Sequence, residues 1–233
     1  MYNTYLKKIL SQKDFNNLLE SNFCKSSFSQ FGEDLVVNKI LSKIPNGNFL
    51  DLGSFHPIHF SNTFLLYLRG WRGINIDANI ELIEISKKIR PLDKSIFAYL
   101  SNKNEEVFYI KNYKHPSMNR LSKDISNLGK NEEYITVNTD TLENLIKGYE
   151  ILLKNLYYLN IDLEFSDEKI LKNFNFNIYH PLLITIENQN FNFYNENSIC
   201  KFLKNYNYSL YSYIRPTAFY IDNNFFEKNF NIS

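Results

Sequence analysis

The sequence predicts an α/β fold: a mainly parallel, doubly wound sheet with helices on both faces and an antiparallel pair at its C-terminal end. Three observations carry the prediction. From Phe49 onward, short apolar runs alternate with runs of helical period, as in successive βαβ units. Two of the apolar runs, Phe49-Leu50-Asp51-Leu52 and Gly73-Ile74-Asn75-Ile76-Asp77, carry carboxylates 26 positions apart, the span of one strand–helix–strand step. The last two runs, Tyr208 to Ile214 and Thr217 to Ile221, are joined only by Arg215-Pro216, whereas a parallel crossover needs about a dozen residues or more.

In residues 1 to about 27, Leu6, Ile9 and Leu10, then Phe15, Leu18 and Leu19, recur at helical spacing, so a helical cap or dimerisation element is expected ahead of one domain over residues 28–233. Ser29-Gln30-Phe31-Gly32-Glu33-Asp34 leads into a helix marked by Leu35, Val36, Ile40 and Leu41, with acids in its first turn, where the helix dipole favours them. A strand over Phe49 to Leu52, a helix over Asn62 to Leu68, a strand over Gly73 to Asp77, a helix over Ile80 to Lys88 and a strand over Ser95 to Leu100 follow. The rhythm then breaks. A short strand from Val107 to Ile110 precedes a polar stretch, Lys111 to Glu133, containing His115-Pro116 and Gly129 and expected as a lid or substrate loop. A strand over Tyr134 to Asn138 and a helix over Thr141 to Lys147, capped by Thr139 or Asp140, restore the alternation. Tyr157 to Asp162 is a strand ending in an acid, followed by a helix over Asp167 to Lys172. Pro181 to Glu187 is another such strand, and Ser198 to Lys204 is helical.

At 233 residues, 44% hydrophobic and 16% aromatic, the chain can bury one substantial core. Its 26 basic residues balance 25 acids, so charge gives no case for nucleic acid or an anionic membrane surface. Cys24 and Cys200 are too few and too far apart for a disulfide framework or a zinc site, which points to reduced thiols in a cytosolic setting. Lys7, Lys8, Lys13 and Asp14 interrupt the apolar residues that a signal peptide would need, and no later stretch is long and uncharged enough to span a bilayer. A substrate of the cell envelope would then be met on the cytoplasmic side, before export.

The carboxyl ends of neighbouring strands border the ligand crevice of an open α/β sheet, and an acid closing the second strand is placed to accept hydrogen bonds from a ribose. A dinucleotide site needs a glycine-rich first turn, because backbone amides must approach a pyrophosphate. Here Gly53 stands alone, with Ser54, His56 and Pro57 where other glycines would lie. A nucleoside ligand without phosphate, such as S-adenosylmethionine, escapes that requirement, so a NAD-dependent sugar enzyme is disfavoured. The ordered series Ser29 to Asp34, Leu52-Gly53-Ser54-Phe55-His56-Pro57, Phe60-Ser61-Asn62-Thr63, Gly70-Trp71-Arg72-Gly73-Ile74-Asn75-Ile76-Asp77-Ala78 and Ile161-Asp162-Leu163-Glu164 resembles the class I methyltransferases. More narrowly, it is similar to the FkbM-type methyltransferases, most of all the branch associated with surface polysaccharide and sugar modification, from about Phe28 to Ile221. The resemblance implies a Rossmann-like, mainly parallel seven-stranded sheet with a C-terminal antiparallel hairpin, and methyl transfer from S-adenosylmethionine to a sugar hydroxyl of a glycan or its precursor. The sequence departs from the family where Phe165 follows Glu164 in place of glycine, at Ser54, and around His115 to Arg120. A non-catalytic cofactor- or sugar-binding subunit of a glycan assembly complex is the alternative, with Phe165 as its mark.

Within this reading, Asp51 is expected beside the cofactor's amino acid moiety, engaging an ammonium directly or through water, or else as a turn aspartate. Gly53 and Ser54 form the first turn, where Gly53 lets the chain pass close to the cofactor or is a plain turn glycine. Asp77 is expected to bind the ribose hydroxyls. Ala78 and Asn79 lie beside the adenosine, with Asn79 equally suited to capping the next helix. Gln30 and Glu33 fold over the cofactor or start a helix. Asp162 and Glu164, two apart, project to one side in extended geometry, where they steady the sulfonium, orient the acceptor hydroxyl or act as base. With Glu187 or Asn188 they also admit Mg²⁺, although no dense ligand spacing demands a metal. His56, near His59, is the first choice of general base because neutral imidazole accepts a proton near physiological pH. His115 and His180 precede prolines and are expected in loops.

Overall fold

A computed structural model of the protein describes residues 11, 13–14, 25–164, 166–189 and 197–230. The expected N-terminal helices, Cys24 and Phe165 lie outside them. The first half contains α1 (Glu33–Ile40), β1 (Asn48–Leu52), α2 (Phe64–Leu68), β2 (Arg72–Asp77), α3 (Ile80–Ile89), β3 (Lys94–Phe97), β4 (Leu100–Ser101), β5 (Glu106–Asn112), β6 (Arg120–Ser122), β7 (Glu132–Asn138) and β8 (Asp140–Thr141). The second contains α4 (Leu142–Ile146), α5 (Glu150–Leu153), β9 (Leu156–Ile161), α6 (Asp167–Lys172), β10 (Leu183–Glu187), α7 (Ser198–Lys204), β11 (Tyr208–Ile214), β12 (Thr217–Asp222) and α8 (Asn223–Phe230).

Seven strands form the main sheet in the order β3-β2-β1-β9-β10-β12-β11. Only β12 runs against its neighbours, as the short join at Arg215-Pro216 requires. The strands alternate their side chains between two apolar layers. Leu50, Leu52, Leu159, Ile161, Ile184 and Ile186 pack on the face covered by α4 to α7. Phe49, Tyr158, Leu183 and Phe219 face Val37, Ile40, Leu66 and Trp71, with Phe225 and Phe226 of α8 alongside. Burial on both faces explains why these strands read as nearly continuous apolar runs. From β1 the chain moves outward to β2 and β3, then returns to β9 on the other side of β1. The crevice therefore opens at the carboxyl ends of β1 and β9, the topological switch point.

Four expectations are corrected. The strand expected over Ser95 to Leu100 ends at Phe97, and Leu100–Ser101 instead pairs in parallel with β8. The polar stretch after Ile110 is not a loop alone: β5 continues to Asn112 and pairs antiparallel with both β6 and β7. Strand β7 is largely exposed, and a sheet with a solvated face does not need an apolar run to form. Helix α4 is capped by Thr141, whose Oγ1 accepts from Asn144 N at 3.4 Å. The Thr139 hydroxyl is instead occupied in the core, donating to Lys103 O at 2.8 Å. Finally, α5 and α8 have no counterpart in the sequence reading. Among the described residues no helix is long and apolar enough to cross a membrane.

Candidate functional site

Beneath the crevice a row of polar side chains crosses the sheet in register: Asn75, Asp51, Asn160 and Thr185. They are 1%, 1%, 5% and 0% exposed, so their partners must come from the protein; Asn75 Oδ1 alone of the row's side-chain polar atoms has none. Asp51 Oδ1 accepts from Asn160 Nδ2 at 2.8 Å and Oδ2 from Thr63 Oγ1 at 2.6 Å. Asn160 Oδ1 accepts in turn from Thr185 Oγ1 at 2.7 Å and Asn62 Nδ2 at 3.1 Å. Thr63 Oγ1 accepts from Arg90 Nη1 at 3.0 Å, and Arg90 Nε donates to Asp93 Oδ2 at 2.8 Å. Burial pushes the Asp51 carboxyl upward, opposed by the bonds from Thr63 and Asn160 and the charge of Arg90. Asp51 borders the cavity, but both its oxygens serve to join β1, β9 and the start of α2.

The turn after β1 follows from equally local causes. Gly53 N and Ser54 N donate to Ile76 O at 2.9 and 3.1 Å. Gly53 has φ 79, and a Cβ there would lie 1.7 Å from the backbone oxygen of Asp162. The glycine is thus required by the neighbouring backbone of the β9 turn. Phe55, at φ 47, donates its N–H to Asp77 Oδ2 at 2.7 Å. Asp77 Oδ1 accepts from Asn79 N at 2.7 Å, which leaves each oxygen further acceptor capacity. Asn79 is the cap of α3, its Oδ1 accepting from Glu81 N at 3.0 Å and Leu82 N at 3.3 Å. Burial raises Asp77 to about 6 against the bonds from Asn79 and Phe55.

Strand β9 ends at Ile161, and Asp162 N donates to Leu52 O at 2.9 Å. Glu164 then adopts φ 45. This left-handed turn, and not the extended geometry expected, brings its carboxylate to that of Asp162. Oxygens of Asp162, Glu164 and Glu187 all lie within 4.8 Å of one another. The trio offers only oxygen atoms, which attract a divalent ion and an organic cation alike. Enclosure by the surrounding cavity walls, and then the charges of Glu187, Asp167, Glu164 and Asp51, raise Asp162 above the ordinary carboxylate range, although its side chain is open to the cavity. Burial, with Glu187 and Asp167, raises Glu164 to about 7, opposed by Arg120.

These elements border one cavity of about 430 Å³, which Gln30, Glu33, Gly53, Ser54, Asp77, Ala78, Asn79, Asp162, Glu164 and Glu187 all line. Gln30 stands on a turn fixed by Asp34, whose carboxylate accepts from Ser27 Oγ, Ser29 Oγ and Phe28 N at 2.6, 2.8 and 2.8 Å. The insert supplies the facing wall through Tyr109 and residues 115–121, so His115 is a lining residue. Arg120 is clamped there by Glu132, with N–O distances of 2.6 and 3.1 Å. His56 is placed differently. It is not among the lining residues, and its Nδ1 accepts from Ile58 N at 3.1 Å and His59 N at 3.0 Å. Burial and the charge of His59 lower its proton affinity. Besides His115, the proton acceptors that line the cavity are carboxylates.

Asp77 and Glu164 keep their protons to about 6 and about 7, above ordinary values of 3.8 and 4.5. Across that window the folded protein binds more protons at these groups than the unfolded chain, so their contribution to stability is lost as pH rises. Relative to wild type, Asp77→Asn should therefore gain thermal stability between about pH 4 and pH 7. A melting-temperature difference independent of pH would refute the protonated state assigned to Asp77.

Thr63, Arg90, Asn160, Thr185 and Arg120 received no role from the sequence. Asn160 and Thr185 had a signal, since each is a polar residue inside an otherwise apolar strand. Arg90 and Thr63 meet only through the fold.

The model of the methyltransferase FkbM domain matches residues 47–210. No curated protein matches the chain. Among solved structures, a TehB-like SAM-dependent methyltransferase from Corynebacterium glutamicum is similar at 12% identity and TM-score 0.42, over 90% of this chain and 92% of that one.

Proposed function

Because the chain belongs to the FkbM methyltransferase domain family, we propose that it transfers the methyl group of S-adenosylmethionine to a sugar hydroxyl of a surface polysaccharide or its precursor. The observation that carries this reading is Asp77, which lines the cavity at the end of β2 beside a first turn whose one glycine serves a neighbouring backbone. Such a turn suits a nucleoside and offers no cradle for pyrophosphate.

When bound, S-adenosylmethionine supplies an electrophilic methyl group on a cationic sulfur. Asp77 accepts hydrogen bonds from the ribose with the capacity its backbone donors leave free. Ala78 and Asn79 border the base, and Asp162 and Glu164 face the reacting end. Glu164, with a midpoint of about 7, is matched to removing the acceptor proton near neutrality. The Phe60 ring, 56% exposed and stacked on Phe55 at 6.2 Å, offers a flat apolar face to a sugar. Gln189, Asn119 and Thr217 line the cavity as hydrogen-bonding partners for hydroxyl groups. Holding both reactants in attack geometry can remove roughly 7 to 11 kcal/mol of barrier in favourable cases.

Calorimetric titration should show micromolar binding of S-adenosylmethionine and none of NAD. Asp77→Ala should weaken the binding by tenfold or more, about the 1.4 kcal/mol that one hydrogen bond to a charged group can contribute. Wild-type affinity in this variant would remove the ribose assignment.

A further inference from the structure

Resting on the methyl-donor reading of the crevice, we infer that Asp162, Glu164 and Glu187 make the site prefer the charged donor over its neutral product, with Glu187 as the residue that sets this preference. The placement follows from the sheet. Strands lie about 4.8 Å apart, so a ligand with its ribose at Asp77 on β2 meets the end of β9 two spacings away, roughly 10 Å. Asp162 and Glu164 wait there, and Glu187 closes the next strand.

Charge supports the same assignment. Six carboxylates line the cavity (Glu33, Asp51, Asp77, Asp162, Glu164 and Glu187) against one guanidinium, Arg120, and that group is already paired with Glu132. Both oxygens of Asp51 are held by side chains within the sheet, and Asp77 is given to the ribose. Asp162 and Glu164 have no hydrogen-bond donor among the described residues, and Glu187 has the Gln189 amide at 3.1 Å. Three carboxylates within 4.8 Å of one another cannot all ionise cheaply without a cation among them. The groups facing the trio are Asp167, Asp51 and Arg120.

The chemistry then changes the ligand's charge at this spot. As the methyl–sulfur bond breaks, sulfur keeps the electron pair and becomes a neutral thioether. The methyl group joins the acceptor oxygen, and the hydroxyl proton passes to a carboxylate of the trio. The site thus loses its cation and gains a proton in one turnover, which weakens its hold on the product.

The test is calorimetry of the full chain in chelator-containing buffer with S-adenosylmethionine, S-adenosylhomocysteine and sinefungin, which carries an amine near the sulfonium position. The two cations should bind on the order of tenfold or more tighter than the thioether. Glu187→Gln should erase most of the preference while leaving the thioether's affinity unchanged. Should that variant misfold, the wild type's own ratio of donor to thioether affinity decides. Equal or tighter binding of the thioether, an unchanged preference in Glu187→Gln, or a preference that appears only with added magnesium would overturn the inference. If none of the three ligands binds, the methyl-donor reading itself falls.

Discussion

Gly53→Ala is expected to destabilise the protein by more than about 4 kcal/mol, a loss reserved for a few mechanisms. Two of them coincide here. The residue has φ 79, and a left-handed conformation costs an alanine about 1–2 kcal/mol. The new Cβ would also sit 1.7 Å from Asp162 O and 2.7 Å from its carbonyl carbon, both backbone atoms that no rotamer change can move. Nor can the turns part freely, since Gly53 N is bonded to Ile76 O at 2.9 Å and Asp162 N to Leu52 O at 2.9 Å. Gly32→Ala is the control. Its φ is 93 with nothing within 4 Å of the new Cβ, so it should show the conformational cost alone. Urea unfolding of both variants separates the terms, and a Gly53→Ala loss no larger than the control's would show that the β1 and β9 turns move apart readily.

Arg90→Met should cost about 3–5 kcal/mol, the usual result of removing one partner from a buried ion pair. The side chains of Arg90 and Asp93 are 1% and 0% exposed and meet at 2.7 Å. Asp93 would keep only its bonds from Gly73 N at 3.0 Å and Asn75 Nδ2 at 3.3 Å. Thr63 would lose the donor that orients its hydroxyl toward Asp51. Arg90 also lies over Phe49 and Tyr67, 5.2 and 5.3 Å from their ring centroids, and methionine preserves much of that packing. The loss should therefore report charge. A double-mutant cycle with Asp93→Asn checks this: coupling below about 0.5 kcal/mol would mean the two residues act independently.

The succession of strands along the chain was legible because both faces of the sheet are covered, which forces apolar runs at Phe49, Gly73, Tyr157 and Pro181 that turn chemistry separates cleanly. The positions of Asp77 and Asp162 on the cavity wall were legible for a related reason: a carboxylate at the end of such a run has the crevice before it. Asp51 looked similar and differs by one residue of register, being inside β1 where Asp77 closes β2. That places it in the buried row with Asn160 and Thr185. His56 followed the first turn closely enough to suggest a base, but the two backbone N–H groups it accepts could be known only once the turn was built. The insert was misread because one-sided solvation gives β7 the composition of a loop. Arg90 and Thr63, 27 positions apart, meet only by tertiary folding.

The insert sheet, β6-β5-β7, shares no strand ladder with the seven-stranded sheet, yet it supplies a wall of the cavity. Its register is internal, from Glu106–Asn138 to Asn112–Glu132, and Arg120 is locked to Glu132 within it. Val107, Tyr109 and Ile110 anchor β5 by burial, so changes to the insert that keep these three should spare the half of the crevice built on β1 and β2. Met118 and Asn119, which line the cavity from the insert, are the natural place to look for altered acceptor choice.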